Sequence, residues 1–140
     1  MMTHYQTEIM RIRKRVYANQ VQLDVVIGMK KYIDYNYEQD LNLNLLSEVR
    51  FVSKFHLLRL FKRYYGQTPR QYLTERRIEA SKVLLKKGLA VANVCYAVGF
   101  ESPASFATLF KSRTGQTPGA FKKAQFSQRD LHLHLESLLP

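Results

Sequence analysis

The fourteen residues LFKRYYGQTPRQYL (60–73) recur forty-nine positions later as LFKSRTGQTPGAFK (109–122). In both stretches the blocks Leu-Phe-Lys and Gly-Gln-Thr-Pro stand in the same register. The match continues upstream at the same offset, where Ser53 corresponds to Ser102. An internal repeat of this length indicates that the chain contains two copies of one supersecondary unit.

The first copy has the periodicity of an amphipathic helix. Four apolar residues occupy positions i, i+3, i+4 and i+7, and they are Leu57, Leu60, Phe61 and Tyr64. This spacing predicts a single apolar stripe, with a basic stripe on the opposite face of the helix. Ser53 is a suitable N-cap for this helix, and Gly66 is a suitable C-terminal stop.

The second copy follows the same plan. Ser102 is the expected N-cap, Pro103 the first helical residue and Gly115 the stop. The stripe positions are taken by Phe106, Leu109, Phe110 and Arg113. The second stripe is therefore apolar except at its last position.

Another short apolar run precedes each of these helices. LNLNLLSEV (41–49) comes before the first and AVANVCYAV (90–98) before the second, each separated from its helix by four residues or fewer. Two short helices joined by a tight turn, the second one basic on its free face, predict a helix-turn-helix. Such a unit suits DNA because the major groove, about 12 Å wide, admits one helix.

The segment between the copies, TPRQYLTERRIEASKVLLKKG (68–88), predicts one long linker helix that begins near Pro69 and ends at Gly88. A helix of about 19 residues spans roughly 28 Å, and one turn of DNA spans roughly 34 Å. This helix would hold two recognition helices in successive major grooves on one face of the duplex. The repeat would replace a dimer, so we expect a monomer to be sufficient for binding double-stranded DNA.

These patterns predict an all-α chain of about seven helices, with two helix-turn-helix subdomains joined by the long linker helix. Only LHLHL (131–135) alternates in the manner of a strand. The predicted segments are a basic N-terminal extension (1–20), the first helix-turn-helix subdomain (21–66), the linker helix (67–88), the second subdomain (89–125) and a C-terminal tail (126–140).

The composition excludes several classes of protein. Apolar residues make up 46% of the 140, which is too rich for a disordered chain. No apolar run approaches the roughly 18 residues of a membrane span, and the first twenty residues lack the apolar core of a signal peptide. A single cysteine permits no internal disulfide. We therefore expect a cytoplasmic protein that has no membrane as a partner.

The charge is unbalanced and unevenly placed. Lys and Arg number 22 against 11 Asp and Glu, which gives a net charge of +11. Residues 50–70 contain no acid, and their basic residues are Arg50, Lys54, Arg59, Lys62, Arg63 and Arg70. Because this run lies on the first copy, the charge indicates a polyanionic partner for the first helix-turn-helix.

The chain resembles the AraC/XylS-type bacterial transcription regulators from about Leu23 to Lys123. The most specific part is the second motif, in which Val-Gly-Phe (98–100) is followed by Phe106, Phe-Lys (110–111) and Gly-Gln-Thr-Pro (115–118). The resemblance implies the DNA-binding domain of such a regulator, with a leading helix at QLDVVIGMKKYIDYNY (22–37). It further implies asymmetric promoter sites and, for most members, activation through RNA polymerase.

Twelve residues of the two recognition helices are candidates for DNA contact, namely Lys54, Phe55, His56, Leu58, Arg59, Lys62, Arg63, Pro103, Ala104, Ser105, Thr108 and Lys111. Arg59 and Lys62 would contact bases or phosphates, and the alternative is a solvated basic face. Phe55 and Leu58 would touch thymine methyl groups or pack on a neighbouring helix.

The remaining candidates suit weaker or less selective contacts. His56 would face phosphate or solvent, and Lys111 would contact phosphate. Ser105 and Thr108 can reach a base edge, although short hydroxyl side chains discriminate poorly between bases.

The chain departs from the family pattern at several positions. Thr108 stands where members often carry arginine, and Pro103 and Ala104 stand where long polar side chains are usual. The first turn, Val-Arg-Phe-Val-Ser (49–53), lacks the common glycine, and Ser81 replaces the usual alanine. We therefore expect the second motif to discriminate less between bases than the first.

Other reactive side chains are better explained by structure than by chemistry. Cys95 lies in an apolar helical run, which favours a buried thiol over a redox sensor. His132 and His134 have no third ligand nearby, so an ordinary tail is favoured over a metal site. With no nucleophile–base pair, metal cluster or phosphate loop, we expect neither an enzyme nor a cofactor.

The most direct function is a sequence-specific transcription regulator, with an activator favoured over a repressor. Two alternatives remain at this point: an architectural protein that binds nucleic acid without sequence choice, and a module that docks on RNA polymerase. The opening Met-Met favours a stand-alone regulator controlled by its abundance, and the other possibility is a fragment of a larger protein.

Overall fold

The computed structural model describes residues 1–49 and 53–139. Within these ranges the chain forms α-helices and no strand. The described residues contain the helices α1 (His4–Tyr35), α2 (Leu43–Val49), α3 (Lys54–Tyr65), α4 (Pro69–Lys86), α5 (Val91–Ala97), α6 (Pro103–Thr114) and α7 (Pro118–Ser137). The all-α prediction is thus confirmed. The first turn, residues 50–52 with Arg50 of the basic run, lies outside the described residues.

The two ends of the chain differ from the sequence-based expectation. The leading helix was expected at residues 22–37, but α1 begins at His4 and continues to Tyr35. A capping box starts it: the Thr3 hydroxyl accepts from the Gln6 N–H at 3.2 Å, and the Gln6 side chain accepts from the Thr3 N–H at 3.0 Å. The segment LHLHL (131–135) is helical within α7, because leucine is a strong helix former in an already started helix.

The chain divides into two compact units. Among the described residues, the first comprises residues 1–36, 41–49 and 53–72, and the second comprises residues 37–40 and 73–139. The linker helix α4 is 18 residues long, close to the expected length, and Gly88 follows it with a φ of +92°. None of the helices in the described part of the chain is long and apolar enough to cross a bilayer.

The core of the first unit is built around α3, which packs against α1 and α2. Buried apolar side chains come from all three helices and include Val26, Met29, Ile33, Leu46, Leu57, Leu60 and Phe61. The Phe61 ring lies 4.8 Å from the Tyr65 ring and 5.8 Å from the Tyr72 ring, measured between centroids. These contacts fix α3 by one face.

Tyr72 also ties the beginning of α4 to the end of α1. Its hydroxyl donates a short hydrogen bond to the Asp34 carboxylate, which forms a 3.1 Å ion pair with Lys30. Burial, and then the hydrogen bond to Asp34, raise the pKa of the Tyr72 hydroxyl, so it stays protonated and donates.

An aromatic row forms the centre of the second unit. Phe106 lies between Phe100 and Phe110, at centroid distances of 5.2 and 5.7 Å, and Phe110 lies 5.4 Å from Phe121. Ile78 and Leu85 of α4 and Val94, Cys95 and Val98 of the α5 region complete this buried cluster. The row connects α6 to its neighbours on both sides.

A short segment from earlier in the chain completes the second unit. The Arg77 guanidinium donates to the carbonyl oxygens of Tyr37 and Gln39 at 2.6 and 2.8 Å. These bonds hold residues 37–40 against the turn at Gly99, where the Glu38 carbonyl approaches closely. Gly99 has a φ of +102°, and a Cβ at this position would lie 2.7 Å from the Glu38 oxygen.

We predict that Gly99→Ala destabilises the protein more than Gly115→Ala. Both positions have positive φ, which costs about 1 kcal/mol for alanine. Only Gly99 also lacks space, since nothing lies within 4 Å of a Cβ on Gly115. Overpacking adds about 1–3 kcal/mol at Gly99, measurable as a loss in the free energy of unfolding in urea. Equal losses in the free energy of unfolding for the two variants would show that the Glu38 carbonyl moves away from the added Cβ without cost.

Candidate nucleic-acid interface

The ends of α3 are fixed by local contacts, as the sequence predicted. The Ser53 hydroxyl accepts from the His56 N–H at 3.1 Å, which makes Ser53 the N-cap. Gly66 ends the helix in the left-handed conformation with a φ of 72°, and its N–H donates to the Lys62 carbonyl at 2.8 Å. A twelve-residue helix with both ends fixed can present a defined set of side chains.

The predicted apolar stripe of α3 is buried at three of its four positions. Leu57 and Phe61 are fully buried and Leu60 nearly so, whereas Tyr64 in the last turn is 39% exposed. Tyr64 lies at the edge of the buried stripe, because the stripe leaves the core in the last turn of the helix.

The opposite face of α3 carries the first set of candidate residues, and all seven reach the surface to some degree. Phe55 is 74% exposed, an unusual position for an aromatic ring with no partner surface. His56 and Leu58 are half-buried. The exposed cationic residues on this helix are Lys54, Arg59, Lys62 and Arg63.

The cations of α3 are not neutralised by the fold. Across residues 1–49 and 53–139, the salt bridges join other residues, and none involves Lys54, Arg59, Lys62 or Arg63. The face around Phe55 is therefore a positive, partly apolar surface. Such a surface matches the phosphate backbone and the thymine methyl groups of a DNA groove.

Helix α6 repeats the same local construction in the second unit. Ser102 caps it, accepting from the Ser105 N–H at 3.2 Å, and Pro103 takes the first helical position. Phe106 and Phe110 of the predicted stripe are fully buried. At the position where the stripe breaks, Arg113 is exposed and lies 3.4 Å from the Glu75 carboxylate.

The outward face of α6 carries small side chains. The candidates Pro103, Ala104, Ser105, Thr108 and Lys111 are all exposed. A shallow open depression lies along this face and is lined by Ala104, Ser105, Thr108 and Leu109. The α6 face therefore presents a shallow surface with the hydroxyl groups of Ser105 and Thr108. Its long cationic side chains are Lys111 and Arg113, and Arg113 is ion-paired with Glu75.

Cys95 and the two histidines do not form part of this interface. Cys95 is fully buried, burial raises the pKa of its thiol, and its sulfur lies 3.9 Å from the Phe100 carbonyl oxygen. His132 sits on exposed α7, 3.0 Å from the Glu136 carboxylate. Among the described residues, no three metal-binding side chains are grouped.

Two positioning residues have no signal in the local sequence. Arg77 anchors residues 37–40 beside the turn that precedes α6, and Glu75 holds Arg113. Each pair is separated by about forty residues in sequence, so periodicity and spacing alone do not reveal them. Both lie in the second unit, where Arg77 fixes residues 37–40 and Glu75 makes a partly exposed ion pair with α6.

Comparison with known proteins gives a family match over most of this region. The model of a helix-turn-helix domain matches residues 46–124, which is more than half of the chain. That range contains both α3 and α6 with the linker helix between them.

Three curated relatives are transcription regulators. The bifunctional transcriptional activator/DNA repair enzyme AdaA of Bacillus subtilis is 35% identical over 66% of this chain and 44% of its own length. The HTH-type regulator in the cgkA 5′ region of Pseudoalteromonas carrageenovora is 40% identical over 76% and 64%. The chain thus spans less than two thirds of these two relatives. The activator AarP of Providencia stuartii is 30% identical over 81% of this chain and 85% of AarP.

Solved structures share the fold. The C-terminal domain of AraT, a response regulator from Geobacillus stearothermophilus, is 28% identical with a TM-score of 0.67, over 71% of this chain and 84% of that domain. The DNA-binding domain of AdpA, solved in complex with a target DNA, is 24% identical with a TM-score of 0.65, over 78% and 96%.

Proposed function

The chain belongs to the AraC family of helix-turn-helix transcription regulators, and we propose that it is an activator that binds specific duplex sites with α3 and α6 in successive major grooves. The observation that carries the proposal is the outward face of α3. There a 74% exposed phenylalanine stands among Lys54, Arg59, Lys62 and Arg63, cations that the described part of the fold leaves unpaired. DNA supplies both the negative charge and the apolar methyl groups for this face.

The linker helix supports the two-groove arrangement. At 1.5 Å per residue, the 18 residues of α4 span about 27 Å, less than the roughly 34 Å of one DNA turn. A helix of that length lets one chain reach two successive grooves without a partner. A monomer is therefore sufficient for a specific complex.

The names of two relatives support an activator. AdaA and AarP are both named transcriptional activators. We propose the same direction for this chain, with RNA polymerase as the protein partner. The polymerase would be contacted by surfaces other than the outward faces of α3 and α6, which face DNA in the complex.

The two alternative functions require different kinds of residues on α3. A non-specific architectural protein needs cations but no exposed Phe55, because phosphate contacts carry no sequence information. A module that only docks on RNA polymerase does not need the run of unpaired cations on a recognition helix. The combination on α3 favours specific DNA binding over both.

The footprint on DNA tests the proposed geometry. We expect a monomer to protect about two turns on one face of the duplex at a site that is not a palindrome. Selection of binders from random DNA, followed by hydroxyl-radical footprinting, measures both properties. A requirement for a dimer, or full affinity for a site of one turn, contradicts the arrangement.

Substitutions on α3 separate base contacts from phosphate contacts. Arg59→Ala is expected to cost about 1–3 kcal/mol on the specific site and to relax the preference at one base position, because arginine binds guanine with two hydrogen bonds. Lys62→Ala is the matched control, and it is expected to weaken all sequences alike and to reduce the salt slope by about one. If Arg59→Ala lowers the affinity for specific and random DNA equally, Arg59 does not contact a base.

The two halves of the site are expected to differ in stringency. The α3 face carries Arg59 and Phe55, whereas α6 has Thr108 and Ala104 at the matching positions. Each bidentate contact contributes about 1–3 kcal/mol of discrimination, and alanine offers only a methyl contact. Randomising each half-site separately is expected to give a strict half under α3 and a degenerate half under α6.

A gain-of-function variant tests the same difference between the two half-sites. Thr108→Arg places a bidentate donor on the exposed face of α6, so it is expected to add preference for one base in the second half-site. Equal information in the two halves for the natural chain, or more in the second half, would contradict the asymmetry.

A further inference from the structure

The first half of α1 exposes large apolar side chains to solvent. Tyr5 and Tyr17 are each 73% exposed, Val16 is 61% exposed, and Met10 and Ile12 are each 55% exposed. A row of exposed apolar residues on such a helix is typical of an interaction surface.

These residues contain a heptad pattern. Successive spacings of four and three residues, the spacing of d and a positions in a coiled coil, join Tyr5, Ile9, Ile12, Val16, Asn19 and Leu23. The side chains at three of these positions are more than half exposed, and those of Ile9 and Leu23 are half-buried. We call this row the α1 seam.

The seam ends where α1 enters the core of its own unit. The next position of the series, Val26, is fully buried, and Ile33 one heptad later is 1% exposed. Within the described part of the chain, residues 5–23 therefore form the unpartnered part of the helix, about 28 Å long at 1.5 Å per residue. The second half of α1 packs against its own unit. In the described part of the chain, the apolar row of the first half is exposed to solvent.

One pair of charges beside the seam fits a second copy of this chain as the occupant. Glu8 takes the g position before Ile9, and Arg13 takes the following e position. In a parallel pair of helices, each g residue faces the next e residue of the partner, so Glu8 would meet Arg13 of a second copy twice. The next such pair joins Arg15 to Gln20, which adds no like-charge repulsion.

We propose that residues 5–23 of α1 form a parallel, in-register, two-stranded coiled coil with a second copy of this chain. The β-branched residues Ile9 and Val16 at the a positions suit a parallel pair, while Ile12 at a d position does not by itself set the number of strands. Asn19 in the seam favours a single register, because an offset would bury its amide against an apolar residue. The seam is short, so the dimer is expected to depend on protein concentration.

Dimerisation is measured with the full chain, without DNA, by sedimentation equilibrium over a range of concentrations. Ile12→Lys is expected to raise the dimer dissociation constant at least tenfold, because it puts a charge into the seam. Met10→Lys is the matched control, since Met10 is equally exposed, at 55%, but lies outside the seam. It is expected to change the constant less than twofold.

Charge reversal tests the orientation of the helices. Arg13→Glu places one carboxylate against the partner's Glu8 at each of the two symmetric contacts and is expected to weaken the dimer, whereas Arg13→Glu combined with Glu8→Arg restores it. The control is Arg11→Glu. Arg11 pairs with Glu8 inside one helix at 2.9 Å, so its loss affects the helix but not the seam.

Disulfide formation tests the register. Asn19→Cys is expected to form a covalent dimer quickly under mild oxidation, because equal seam positions face each other in a parallel pair. Ala18→Cys, one residue away and outside the seam, is expected to form it slowly. The buried Cys95 of the natural chain gives the background rate.

Three results would overturn the proposal. They are a monomer at every concentration, a dimer that Ile12→Lys and Met10→Lys affect equally, and equal cross-linking at positions 18 and 19. Binding of residues 5–23 to anionic vesicles in place of dimerisation would assign the surface to lipid instead. None of these measurements uses DNA, and Ile12→Lys is expected to retain the affinity of one chain for one site, so failure here leaves the proposed function standing.

Discussion

Burial of one stripe on each recognition helix is the constraint on which the rest of the structure depends. Helices α3 and α6 have twelve residues each, a length that is marginal for an isolated helix in water. Each is stabilised by apolar residues on one face, led by Phe61 in the first unit and Phe110 in the second. Because the stripe fixes the rotation of the helix about its axis, it also decides which side chains face solvent. The buried side chains of each helix therefore determine which of its side chains are exposed.

The two copies of the internal repeat can be compared at the positions that stabilise the fold and at the positions that face solvent. Several identical positions of the two copies, such as Phe61 with Phe110 and Gly66 with Gly115, are buried or end a helix, whereas the identical pair Lys62 and Lys111 is exposed. Several positions that differ, such as Phe55 with Ala104 and Arg59 with Thr108, lie on the outward faces. The sequence repeat is thus a repeat of the scaffold, and it gives no reason to expect equal DNA recognition by the two copies.

Local signals in the sequence were sufficient for the recognition helices and insufficient for their surroundings. The caps at Ser53 and Ser102 were predicted because a cap and its helix lie within three residues of each other. The start of α1 was missed although Thr3 and Gln6 form a recognisable capping box. The anchoring of residues 37–40 by Arg77 was beyond reach, because it joins groups about forty residues apart through backbone carbonyls. Helix faces were predictable, whereas contacts between distant segments were not.

The two halves of α1 connect self-association to DNA binding. Its second half supplies Val26 and Met29 to the core that fixes α3, and its first half carries the seam. A short seam gives a weak dimer, but two adjacent DNA sites would hold two chains at a high effective concentration. Dimer formation on DNA would then add affinity without any new contact to a base. Under this arrangement a single site is occupied at high protein abundance, and paired sites are occupied at a lower one.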